Sequence, residues 1–406
     1  MKVLAVVGTR PEAIKMAPVI TTAQASGIEV VVCATAQHRE MLDQVLGLFR
    51  IVPQHDLDLM RPDQSLSDLT ARALLGLTPV IATEKPDWLL VQGDTTTAMV
   101  AGLAGFYARV PLGHVEAGLR TGNMAQPFPE EMNRRMVAVV AAAHFAPTST
   151  ARDNLRREGI AEAGIHVVGN TVVDALLATR ALPCPAAALA AVPVLAAHER
   201  LVLVTAHRRE SFGAGMRQIA RALQRIARAH PDVCLVYPLH PNPNVQGPMR
   251  EILAGEARVH LIPPLDYLPF IHLMTKAHLI ISDSGGVQEE APSLGVPALV
   301  LRETTERPEA IAEGCVRLVG VDEETIVAAA HELLSDAGAY ARMARAVNPY
   351  GDGRAAGRIV AILRGEPWTP FVPVRVPESV AVPRAVGHSP VRASAAAVVG
   401  PASGDG

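Results

Sequence analysis

The sequence has no excess of positive charge. Across 406 residues, 37 Lys and Arg face 40 Asp and Glu, a formal net charge of −3. A general nucleic-acid binder needs a basic surface to displace counterions, so that class is disfavoured. Cysteine is sparse: Cys33, Cys184, Cys234 and Cys315, with no C-x-x-C pair. A chain this long needs no disulfide framework, and the four read as reduced thiols of a cytoplasmic protein. No apolar run reaches the roughly 18 residues of a membrane span, and the start, MKVLAVVGTRPEA, is too short in apolar residues for a signal peptide. H-E-x-x-H and Cys/His pairs at zinc spacing are missing, so no metal site is expected. Also missing are G-x-G-x-x-G, G-x-x-x-x-G-K-[ST] and G-x-S-x-G, which speaks against NAD, Walker-type ATP and serine-hydrolase chemistry.

What is present is an alternation. Short apolar runs at residues 3–7, 29–33, 88–91, 201–205, 234–237, 278–282 and 298–301 suit strands buried on both faces of a parallel sheet. Between them, residues 11–25, 65–82, 96–108, 216–230 and 323–334 read as helices, which makes an α/β chain. The pattern pauses over the Ala- and Pro-rich residues 181–198 and restarts at Leu201. A boundary near residues 169–174 therefore separates a first domain, 1–170, from a second, 171–350. In the last 40 residues, 367–406, Pro, Ala, Val and Gly make up 27 positions. No period is visible there and the prolines oppose a ladder, so the segment is expected to be disordered.

Polar motifs follow the predicted strands, where open α/β sheets bind ligands. Gly8-Thr9-Arg10-Pro11-Glu12 reads as a tight turn into a helix start. Such a start attracts anions, and Arg10 and Lys15 are placed to reach a phosphate. Asp94, in Gln92-Gly93-Asp94-Thr95, fits either a ligand-facing carboxylate or a helix N-cap. Glu116 ends another apolar run, and Glu130-Glu131 opens a helix whose dipole alone would favour acidic residues. Three such carboxylates in one domain suit proton transfer at carbon. His207-Arg208-Arg209 follows a strand of the second half and offers an acid/base group and phosphate ligands, or simply a solvated basic loop. Ser284-Gly285-Gly286 lets a diphosphate approach the amides of a helix start, with Glu290 one turn on for ribose hydroxyls.

Eight segments occur in order: GTRPEAIKMAPV, QHREMLDQ, QGDTTTAM, HVEAGLRTGN, PFPEEMNRR, TAHRRES, SDSGGVQEEAPSLGVP and TTERPEA. Over residues 1–364 the chain resembles the non-hydrolysing UDP-N-acetylglucosamine 2-epimerases of bacteria. The resemblance implies two Rossmann-like domains facing across a cleft (the glycosyltransferase-B type), with a helix in 351–366 crossing back to the first domain. It implies a homodimer that interconverts UDP-GlcNAc and UDP-ManNAc without NAD or an obligatory metal. By motif matching, Asp94, Glu116, Glu130 and His207 take catalytic positions. Arg10, Lys15, Phe270, Ser284, Gly285, Gly286, Glu290 and Arg307 take substrate-binding ones, Phe270 beside the uracil. Gln37, Gln64, Arg208 and His240 match a neighbouring site for a second, activating UDP-GlcNAc. Glu40 and Leu265 stand where some members have Gln. A related UDP-sugar substrate, a hydrolysing epimerase, and a glycosyltransferase or sensor on the same fold remain as alternatives.

Overall fold

A computed structural model of the chain describes residues 1–35, 39–61, 64–196 and 199–375. Its first lobe is built on a parallel sheet of seven strands: β1 (Lys2–Val7), β2 (Glu29–Ala34), β3 (His55–Asp56), β4 (Trp88–Gln92), β5 (Leu112–Val115), β6 (Ala143–Ala146) and β7 (Ile165–Val167), in the order β3-β2-β1-β4-β5-β6-β7. The second lobe repeats the plan with six: β8 (Arg200–Thr205), β9 (Val233–Pro238), β10 (Val259–Ile262), β11 (Leu279–Ser282), β12 (Ala298–Val300) and β13 (Val316–Leu318), in the order β10-β9-β8-β11-β12-β13. All these pairings are parallel.

Burial explains the apolar runs. Along β1, Val3, Ala5 and Val7 join one core while Leu4 and Val6 join another, so both faces are covered by helices. The first of these cores is continuous between the lobes. It runs through Val172, Val173, Ala175 and Leu176 of the helix Thr171–Ala181 to Leu201, Leu203 and Ile280 of the second sheet. Each such side chain fully buried is worth roughly 1.5–3 kcal/mol, so the lobes are joined by apolar packing as well as by chain.

The crossings between lobes at residues 170 and 350 touch: the Asn170 backbone amide donates to the Tyr350 carbonyl at 2.6 Å. Past the return, the helix Ala355–Leu363 packs on the first-lobe helix Arg10–Ala25. Asp174 holds its start by accepting from the Ala355 and Ala356 amides.

The expectation of disorder from residue 367 onward is corrected for 367–375. Phe371 is buried, its amide donates to the Val167 carbonyl at 2.9 Å, and the Arg358 guanidinium lies over its ring. Trp368 meets His166 edge-on, and β15 (Val374–Arg375) pairs antiparallel with β14 (Val347–Asn348). The prolines fall outside that two-residue ladder, and the aromatic side chains supply an anchor that periodicity does not reveal. Residues 376–406 lie outside the described residues. No helix among the described residues is long and apolar enough to cross a membrane.

Candidate active site between the lobes

In each sheet the strand order reverses beside the first strand of the lobe, between β1 and β4 and between β8 and β11. Such switch points leave a crevice at the carboxyl ends of the strands. The polar motifs stand there. A cavity of about 690 Å³ opens between the lobes, lined on one side by Lys15, Asp94, Glu116, Glu130 and Arg134, and on the other by Arg208, Arg302 and Arg307.

The β1 turn is tighter than anion binding requires. A side chain on Gly8 would collide with the Thr35 and Thr97 hydroxyls, which are hydrogen-bonded to each other at 2.9 Å. The amides of Gly8 and Thr9 both donate to the Glu12 carboxylate, at 3.0 and 2.6 Å, and Thr95 donates to its other oxygen. This is a capping box. The anion at those two amides is the chain's own Glu12, while Lys15, further along the helix, lines the cavity between the lobes. Arg10 lines a second cavity, of about 390 Å³, together with Leu265, Tyr267 and Pro269.

Asp94 is not an N-cap; Thr95 performs that role by accepting from the Ala98 amide. Arg134 instead pairs with the Asp94 carboxylate, and Asn133 donates to its carbonyl at 2.9 Å. Burial pushes the Asp94 carboxyl upward against the pull of Arg134. The turn itself is fixed by His114, whose Nε2 donates to the Gly93 carbonyl at 2.7 Å. Burial drives that imidazole down to about 3, so it is neutral. Of the acidic pair, Glu131 is fully buried and accepts from the Thr121 and Gly122 amides, whereas Glu130 lines the cavity.

Glu116 is the most constrained. It holds a backbone φ of 63°, a left-handed conformation unusual for glutamate. Lys15 and Asn170 donate to its Oε1, and Gln92 to its Oε2. Burial pushes its carboxyl up, but Lys15 and Arg307 outweigh burial and hold it below the ordinary range. A few ångströms away Glu289 is also buried, and there burial outweighs Arg307 and Lys15 and the carboxyl rises. Lys15 lies between the two, 3.9 Å from Glu289, and Arg307 pairs with Glu289 and Glu306. The two buried carboxylates of this cluster are thus driven in opposite directions.

On the second lobe, Asp283 is completely buried and its Oδ2 accepts from the His207 and Arg208 amides at 2.6 and 2.7 Å. The His207 ring stacks on His240, with centroids 5.2 Å apart, and makes no hydrogen bond to the three carboxylates. Ser284 gives its helix no side-chain cap, and the first turn of Gly285–Ser293 is left to other partners. Gly285 is there because of a neighbour: a Cβ would sit 2.9 Å from Arg307 Nη1. Phe270 is half-buried against the core, and Gln64 is bound to Arg72 at 2.5 Å. Gln37 lies outside the described residues, as does the side chain of Glu40.

A sequence profile of UDP-N-acetylglucosamine 2-epimerases matches residues 21–364. The chain belongs to the UDP-N-acetylglucosamine 2-epimerase family. It is 56% identical over 375 residues to the UDP-N-acetylglucosamine 2-epimerase of Yersinia pestis, covering 91% of this chain and 100% of that one. It is 54% identical to that of Escherichia coli K12, covering 90% and 98%. The crystal structure of UDP-GlcNAc 2-epimerase from Neisseria meningitidis bound to UDP-GlcNAc superposes with a TM-score of 0.85 at 49% identity, over 90% of this chain and 100% of that one. At 14% identity and a TM-score of 0.59, the glycotransferase of kitacinnamycin shares the fold alone.

In this epimerase-family chain the motif-matched residues Lys15, Asp94, Glu116, Glu130, Arg208 and Arg307 line one cavity, and Arg10 lines the other. His207 and His240 stack together, while Gln64 and Phe270 take their contacts elsewhere. Gln92, Arg134, Asn170, Asp283 and Glu289 also hold this site together and are not singled out by the sequence motifs. Asn170 and Asp283 did carry a signal, since each sits at the start of a helix or the end of a strand beside a motif.

Glu290 is buried and accepts from the Tyr267 hydroxyl at 3.2 Å; burial raises its carboxyl to about 7. Because folding raises this value, the folded state holds the proton more tightly, and stability falls as pH climbs from the ordinary 4.5 to about 7. Glu290→Gln is expected to match the wild type near pH 4.5 and to exceed it above neutrality, by at most about 3 kcal/mol at roughly 1.4 kcal/mol per pH unit. Thermal melts of both proteins across that range check this; curves that stay parallel refute it.

Proposed function

We propose that this chain interconverts UDP-GlcNAc and UDP-ManNAc by inverting C2 of the sugar. The observation that carries the reading is the lining of the 690 Å³ cavity, where the first lobe brings the carboxylates Asp94, Glu116 and Glu130 beside Lys15 and Arg134, and the second lobe brings Arg208, Arg302 and Arg307 beside Glu210 and Glu306. A hydrogen on C2 is not acidic in an intact sugar. It becomes removable when the C1–oxygen bond to UDP breaks and positive charge develops at C1.

In the forward step a carboxylate takes the C2 proton. The C–H electron pair forms the C1–C2 double bond, and UDP departs with the electrons of the C1–oxygen bond. The products held in the cleft are UDP and 2-acetamidoglucal. Guanidinium groups and Lys15 stabilise the negative charge of the departing diphosphate. In the return step a UDP oxygen bonds C1 and a second acidic group delivers a proton to the opposite face of C2, so atoms and charge balance. Arg10 and His207 would assist the leaving phosphate, Ser284 and Gly286 would approach the diphosphate, Glu290 would take the ribose and Phe270 would lie by the uracil. The lobes act as units, residues 1–170 and 171–350 with 351–366 returning, an assignment favoured by the paired crossings at Asn170 and Tyr350.

A second UDP-GlcNAc would activate the enzyme beside this site. Gln37, Gln64, Arg208 and His240 would bind it, a reading supported by Arg208 lining the cavity and His240 stacking on His207. A cytoplasmic homodimer completes the reading.

Incubation with UDP-GlcNAc in deuterium oxide tests the core of the proposal. UDP-ManNAc should form with deuterium at C2 and the nucleotide still attached. Free ManNAc as the only epimer, or product without deuterium, would overturn it.

A further inference from the structure

Asn170 is almost completely buried where the chain first crosses between lobes. Its side-chain oxygen caps the following helix by accepting from the Val172 amide at 3.1 Å. Its side-chain nitrogen has two hydrogens and spends both on carboxylates: one on Glu116 of the first lobe at 2.9 Å, the other on Glu289 of the second at 2.8 Å. A helix cap needs only the oxygen, and Ser, Thr or Asp would serve equally well. The amide nitrogen is the part that those alternatives lack.

We propose that Asn170 is a positioning residue that holds the Glu116 carboxylate in register with the second lobe through Glu289. This rests on the reading of Glu116 as a proton-transfer group. Of its roughly four lone-pair positions, three are taken by Lys15, Gln92 and Asn170. The remaining direction is therefore fixed by where those donors stand. Lys15 and Gln92 belong to the first lobe. Asn170 alone of the three is hydrogen-bonded to both lobes, Lys15 reaching Glu289 only as an ion pair at 3.9 Å, so the aim of the free lone pair follows the placement of Glu289.

The groups facing Glu116 are Lys15 from the helix Arg10–Ala25, Asp94 after β4, His114 in β5, Glu289 in Gly285–Ser293, and Arg307 before Pro308–Ala312. None changes in the two test variants. Asn170→Ser keeps a cap oxygen and removes the bridge. Asn170→Asp keeps shape and cap but sets a third carboxylate between the two. Both should still fold cooperatively: Asn170→Ser with a melting temperature lowered by the loss of a buried hydrogen bond, and Asn170→Asp with a larger loss at neutral pH, where three buried carboxylates adjoin. The wild-type KM should be kept while kcat falls by roughly ten- to hundredfold, the range that loss of a charge-assisted hydrogen bond supports.

A second readout needs no substrate. With ¹³C-carboxyl-labelled glutamate, the Glu116 resonance is assigned by its loss in Glu116→Gln. Its titration should move upward in Asn170→Ser and further upward in Asn170→Asp, since a lost donor and an added like charge both disfavour the ionised form. An unmoved titration, or wild-type kcat in a folded Asn170→Ser, overturns the inference and leaves a helix cap. If the titration moves but the wild type does not epimerise UDP-GlcNAc, the functional reading fails and the positioning role stands.

Discussion

Glu116→Gln should lower kcat by roughly 10²- to 10⁴-fold, the span general acid–base groups contribute, with UDP affinity little changed. The substitution preserves shape and removes the ionisable group, so deuterium entry at C2 should fall in step with turnover. Its structural cost is specific. Gln92 and Asn170 each present a donor to a different carboxylate oxygen. A glutamine can accept on only one side, and its amide faces a donor on the other. That mismatch costs about 1–3 kcal/mol, visible in a denaturant midpoint. Calorimetry with UDP separates the two effects: turnover lost with UDP affinity retained supports the proton-transfer role, and equal loss of both points to a damaged fold.

Arg307→Met should be the most destabilising change. Methionine replaces the aliphatic stem and leaves Glu289 and Glu306 without the guanidinium that pairs with both. Glu306 now sits at about 2: burial would raise it, and Arg307 and Arg302 override burial. Stranding a buried charge costs about 3–5 kcal/mol. Glu289, already raised by burial, would rise further without Arg307. A raised carboxyl binds its proton in the folded state, so the lost stability should return as pH falls toward the ordinary carboxylate range. Adding Glu289→Gln to the variant should recover part of the loss at neutral pH, which a double-mutant cycle of melting temperatures measures. A cycle with no coupling would show that the pair is not an energetic unit.

These two residues differ in how far the sequence revealed them. Glu116 is legible because it ends an apolar run beside a glycine-punctuated motif, whereas Arg307 emerges only by matching the family's TTERPEA segment. Their partners are not legible. Glu289 and Glu290 are neighbours on one helix, both buried; the sequence marks an acidic pair one turn past Gly285-Gly286 and does not say which side chain turns toward Arg307 and Lys15. Arg134 pairs with Asp94 across 40 positions and Asn170 with Glu289 across 119, distances at which spacing carries no signal. Long continuous strands such as β1 and β8 stood out by their apolar runs. β6 (Ala-His-Phe-Ala) did not, because its histidine is a buried polar residue in a four-residue strand whose place is set by parallel neighbours. The Gly285-Gly286 pair suggests room for a ligand, and at Gly285 a Cβ would sit 2.9 Å from Arg307 Nη1.

The segment from Trp368 to Arg375 has a mechanical consequence. It attaches beside Val167 at the rim of one sheet and to Val347–Asn348 in the other lobe, with Phe371 packed over Gly169 at the paired crossings. Any swing of one lobe against the other would turn about those crossings. A tie laid across an axle has almost no lever arm, so it resists sideways slip strongly and rotation weakly. In such a swing the segment would serve as a bearing, guiding its direction while the contacts inside the cleft limit its extent.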